Sequence, residues 1–129
     1  MRRIIALTAL LALSIPALAE TMQPGLYRAT TVSPGEKPET SDECVTQKDI
    51  DDGLSALGAS RDGSCKVQDF KRGANQVSYR TACQSNGVNI ASQAKITFTR
   101  DTFDMKLAMT VAGEKTDIHV TGKRVGACK

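Results

Sequence analysis

The sequence predicts a mainly β protein: a curved antiparallel meander sheet of about seven strands, with one short helix and two disulfides. Three observations carry this expectation. Apolar and polar residues alternate with a period of two through most of the second half, as in strands with one side against a core. Short segments of turn chemistry separate these runs, and short loops join sequential antiparallel neighbours. Four cysteines are spread along the chain, an even number suited to pairing.

The elements follow in order. GLYRATTV, from Gly25 to Val32, reads as the first strand, and a Pro- and Gly-bearing loop from Ser33 to Pro38 leads to a short strand near Ser41 to Val45. A helix then starts: Thr46 can cap it, Asp49 stands at its third position beside the positive end of the helix dipole, and Ile50, Leu54 and Leu57 share one face. Val45 and Ile50 are placed for a hydrophobic staple, and Gly58 for the terminus. Gly53 counts against this helix, since an interior glycine costs about 1 kcal/mol relative to alanine.

Five strands should follow as a meander. Cys65 and Val67 begin the first, and Val77, Tyr79, Thr81 and Cys83 share a face of the second. Val88, Ile90, Ser92, Ala94, Ile96 and Phe98 line one side of the third; Phe103, Met105, Leu107, Met109 and Val111 line one side of the fourth. Ile118 and Val120 alternate with Asp117, His119 and Thr121 in the last. The turns are expected at Arg72 to Asn75, Ser85 to Gly87, Arg100-Asp101 and Gly113-Glu114.

Residues 1–19, MRRIIALTALLALSIPALA, carry a basic start, an apolar run and a small-x-small ending, the pattern of a cleaved secretory signal peptide. Pro16 and the lack of a polar face argue against a buried helix there. The expected product is a single domain, residues 20–129, in the periplasm or secreted. The arginine pair lacks twin-arginine surroundings, so the general secretory route is favoured. No cysteine at the cleavage point offers a lipid anchor, and no later stretch approaches the roughly 20 apolar residues of a membrane span. The whole chain has a formal net charge of +3, which falls to about +1 once Arg2 and Arg3 leave with the signal. Only Lys71-Arg72 and Lys123-Arg124 are adjacent cations in the remainder, so a nucleic-acid footprint is not expected.

In an oxidising compartment Cys44, Cys65, Cys83 and Cys128 read as two disulfides. A zinc site is disfavoured by the absence of any Cys-x-x-Cys pair and by the remoteness of His119. If the hairpin turns between Gly73 and Asn75, Cys65 and Cys83 lie directly across two strands, leaving Cys44 for Cys128. The competing scheme joins Cys44 to Cys65 across the helical segment and Cys83 to Cys128. In either scheme Cys128 staples the C-terminus to the body, contributing about 2–4 kcal/mol.

PGLY at 24–27, CVTQKD at 44–49, CKVQDFKRGANQVSYRTAC at 65–83 and GKRVGAC at 122–128 together resemble the bacterial domain-of-unknown-function family numbered 3617. The resemblance covers nearly all of the chain beyond the signal, with Tyr27 and Tyr79 where many members carry tryptophan. It implies a small exported, typically periplasmic protein and the scaffold above, and it transfers no catalytic residue.

Local chemistry adds no catalytic assignment and no cofactor. His119 falls on the polar face of its strand, as a solvated residue would. No nucleophile elbow, zincin, P-loop or dinucleotide motif is present. Asp49, Asp51 and Asp52 lack the ligand spacing of a calcium loop and suit a helix start. Met105 and Met109 have thioethers that could bind copper(I), but they share the apolar face with Leu107 and are read as core. Lys123-Arg124 could meet an anionic lipid, glycan or protein; the preferred reading is that they keep an edge strand soluble. The functional expectation is a non-enzymatic binding or envelope-associated module whose partner is an envelope component, a small ligand or a protein. The alternative is a periplasmic enzyme or enzyme inhibitor with a loop-borne site. An enzyme should gather polar groups of displaced protonation in a cleft, and a binding module should present an apolar pocket or patch.

Overall fold

The computed structural model describes residues 21–54 and 65–129. The expected signal, residues 1–19, and the expected helix end at Leu57 and Gly58 lie outside the described residues. Among the described residues seven strands are present: β1 (Gly25–Val32), β2 (Glu39–Val45), β3 (Cys65–Gly73), β4 (Gln76–Ser85), β5 (Val88–Phe98), β6 (Thr102–Val111) and β7 (Glu114–Gly126), with α1 (Gln47–Asp51) between β2 and β3. All pairings are antiparallel, in the order β2-β1-β7-β6-β5-β4-β3. The predicted meander is β3 through β7; β1 then joins the far side of β7 and carries β2 with it. The sheet is open, with β2 and β3 as its edges.

The turns explain the short connections. Asn86-Gly87 and Ala112-Gly113 are two-residue links with both residues at positive φ, the mirror-image turn whose twist suits neighbouring strands. Between β5 and β6, the Thr99 hydroxyl accepts from the Thr102 N–H at 3.1 Å and closes the corner.

Two expectations change. The helix is shorter than the pattern suggested. Thr46 caps it as expected, accepting from the Asp49 N–H at 3.2 Å, and the Asp49 carboxylate accepts in return from the Thr46 N–H at 2.9 Å. Gly53, at φ 70°, is its stop: its N–H donates to the Ile50 carbonyl and the Leu54 N–H reaches back to the Asp49 carbonyl. That pair of bonds is a Schellman ending, which the left-handed conformation of Gly53 permits. Leu54 therefore leaves the helix and is buried on the sheet at 3 % exposure. The second change concerns Lys123-Arg124. They do not protect an edge, because β7 runs on to Gly126 and lies between β1 and β6. The Arg124 Nε donates instead to the Pro24 carbonyl at 3.1 Å.

Register aligns the apolar residues into rows. Thr31, Val120, Met105, Ile96 and Val77 stand side by side across β1, β7, β6, β5 and β4. In the next row Phe103 lies opposite Gly122, where any Cβ would meet the phenyl ring, so the glycine gives that ring its place. The core comprises Tyr27, Val45, Val77, Tyr79, Ala94 and Ile96 from the sheet, with Met22 and Leu54 laid against it. Burying each large apolar side chain contributes about 1.5–3 kcal/mol. Thr81, a buried polar residue, is satisfied by the Ser92 hydroxyl.

Disulfides join Cys44 to Cys128 and Cys65 to Cys83. Cys65 and Cys83 are register partners, with Cα atoms 4.0 Å apart. The Cys44–Cys128 bridge, Cα atoms 5.5 Å apart, passes over the start of β1 and ties the C-terminus to β2.

Candidate functional site

The site with the strongest claim to ligand chemistry is a cavity of about 200 Å³ on the inner face of the sheet. It is lined from β1, β2, β5, β6 and β7, with Met22 and Leu54 completing the wall. Five adjacent strands laid flat span about 19 Å between the outer two. A cavity this small touches all five because the sheet curls around it.

Each wall has a local cause. The Schellman ending turns Leu54 inward. The segment before β1 is held by the Tyr27 hydroxyl, which donates to the Gln23 carbonyl at 2.6 Å, and by the Gln23 N–H, which donates to the Arg100 carbonyl at 2.8 Å. Met22 is thereby fixed above the sheet. Val45 and Ile50, the predicted staple pair, belong to the same cluster, so the capped helix start is anchored beside the cavity. The buried end of the cavity is apolar: Met22, Ala29, Val45, Leu54 and Ile96. Its exposed side is the edge strand, where Ser41 and Glu43 reach the solvent. Sequence reasoning missed this pocket. Met22 fell outside every periodic run, and β2 could not be placed against β5 to β7 without the long-range pairing of β1 with β7.

Protonation is displaced elsewhere. Burial raises the Tyr79 phenol, and burial followed by the nearby Asp101 charge raises that of Tyr27. Arg28 and Lys48 are raised by their exposed partners Asp42 and Asp52. None of these four lines the cavity.

The residues singled out from sequence are scattered. His119 lies on the outer face, its Nε2 2.9 Å from Asp104 Oδ2, and both side chains are exposed. Asp49 is used in the helix cap, Asp51 accepts from the Gln47 amide at 2.9 Å, and Asp52 pairs with Lys48 at 2.6 Å. Met105 lines the cavity whereas Met109, four residues along the same strand, does not. Among the described residues no helix is long and apolar enough to cross a membrane.

No curated protein and no solved structure matches this chain. A family match extends over residues 22–128, from the methionine on the cavity wall to the cysteine that closes the C-terminal bridge. The chain belongs to the family described as Protein of unknown function (DUF3617).

Proposed function

We propose that this protein is an exported, non-enzymatic binding module that takes a ring-sized apolar group into the cavity beneath Met22 and Leu54. The observation that carries the reading is the cavity itself: a concave apolar site with its polar groups confined to one side, as small-molecule sites are built. Its size suits the ligand class, because an apolar cavity of about 150 Å³ is known to stay dry and admit benzene. Export to the periplasm is supported by the signal-like residues 1–19 and by two disulfides, which persist in oxidising compartments. A binding role is favoured over catalysis because the groups of displaced protonation lie outside the cavity wall.

The test is a benzene titration of the protein carrying ¹³C-methyl methionine. Met22 and Met105 line the cavity, while Met109 is an internal control on β6. Saturable shifts at Met22 and Met105, with Met109 unmoved and the response removed by the filling substitution Val120→Phe, are the expected result. Equal drift of all three methyls, or no shift up to the solubility of benzene, would overturn the reading.

A further inference from the structure

We infer that the cavity prefers ligands with a cationic head over neutral or anionic ones of the same shape, and that Glu43 sets this preference. The inference rests on the reading above and adds the charge of the ligand to it. Among the described residues that line the cavity, Glu43 alone is charged. Register puts it on the same face of β2 as Ser41 and Val45, beside Tyr27 and Ala29 of β1. Its polar contact is the Ser41 hydroxyl, which donates to Glu43 Oε1 at 3.5 Å. The nearby guanidinium of Arg28 is held by Asp42 at 3.1 Å, and both belong to the opposite face of the β1–β2 pair. Among the described residues Glu43 has no ion-pair partner.

An apolar body seated among Val45, Leu54, Ile96 and Met105 leaves its polar end at the Ser41 and Glu43 side, the exposed one. There a carboxylate and a hydroxyl offer lone pairs to a donor, and the negative charge attracts an ammonium group while repelling a carboxylate. The site therefore fits a small alicyclic or aromatic amine better than a short acid. The neighbouring Glu39 lies on the same face and adds to the negative field.

Three cyclohexyl probes separate the two levels of the argument: cyclohexylamine, charged at about pH 7 as a lysine is, cyclohexanol, and cyclohexanecarboxylate. Each is titrated into the full protein at low salt, reading the Met22 and Met105 methyls. The amine should bind about two- to fivefold more tightly than the alcohol, and the acid more weakly by a similar factor, the range of an exposed charge pair. Glu43→Gln should bring the amine and the alcohol together, and Glu43→Lys should invert the order. Glu43 is exposed, so both substitutions should leave the fold intact, and an unchanged methionine spectrum without ligand verifies this. Alcohol binding with no preference for the amine, or a preference that survives Glu43→Gln, overturns the role of Glu43 and leaves the cavity standing. Failure of all three probes overturns the cavity reading and this inference with it.

Discussion

Ile96 and Val88 lie on the same face of β5, eight residues apart, yet Ile96 is 1 % exposed and Val88 39 %. The two ends of one sheet face have different fates. At the end where β1 begins, Met22, Ile50 and Leu54 cover the sheet, and Tyr27, Val45 and Ile96 are sealed beneath them. At the other end, Val67, Val88 and Val111 remain exposed although their strands alternate just as regularly. Period-two patterning sets which way a side chain points; depth is set by what packs over it. Each end also has its own bridge, Cys44–Cys128 at the covered end and Cys65–Cys83 at the open one.

The largest test of this contrast is removal of the bridges one at a time. In the chain-entropy account a closed loop of 84 residues stabilises by about 4.5 kcal/mol and one of 18 by about 3 kcal/mol. The double substitution Cys44→Ser with Cys128→Ser should therefore lower the urea midpoint more than Cys65→Ser with Cys83→Ser. If the smaller loop proves more costly, the open end depends on its bridge more than loop length alone explains.

Truncation of the two β5 residues sharpens the comparison. Ile96→Ala should cost about 2–5 kcal/mol and Val88→Ala less than about 1 kcal/mol, read from urea unfolding at unchanged slope. Equal losses would mean that the open end is covered in solution. A smaller effect is expected at the helix start: Thr46→Ala breaks the capping box and should cost about 1 kcal/mol. Its cost should be recovered largely by Thr46→Ser, which keeps the acceptor.

The last prediction is silent at neutral pH. Tyr27 and Tyr79, the protein's two tyrosines, are both raised by burial, so their neutral forms are favoured in the folded state. Their contribution to stability is complete below the ordinary phenol value of about 10 and is lost as the pH rises through the folded values. Phenolate absorbance and loss of folded signal should consequently rise together above about pH 10, whereas phenols titrating in the usual range ahead of unfolding would show that the covered end is open to solvent.

Much of the fold was legible because its causes are local. The β5 boundaries follow from the run Val88 to Phe98. The partnership of Cys65 with Cys83, expected from a hairpin centred at Ala74, is reached by a turn at Ala74-Asn75 together with a bulge between Gln68 and Lys71 that shifts the register by one. Thr46 was readable as a cap because the cap is made within three residues. Gly53 was misjudged because the same residue is a defect inside a helix and an asset just beyond its end, and the chain's reversal onto the sheet decides which. Lys123-Arg124 were misplaced for a related reason. Basic residues suit an edge, but β7 became interior when β1 paired with it across roughly 90 residues of sequence.

The sequence by itself determined the faces of the strands, the turns between them to within a residue, and the cap, since each depends on backbone geometry within a few residues. Tertiary structure alone decided which half of the apolar face is covered, that β7 is interior, and that Glu43 of an edge strand stands beside Ile96 and Met105 at one cavity. These depend on the curl of the sheet, on Met22, which carries no periodic signal, and on Leu54, whose helical spacing gave no sign that it leaves the helix for the sheet; packing between distant parts of a chain leaves no mark in local alternation.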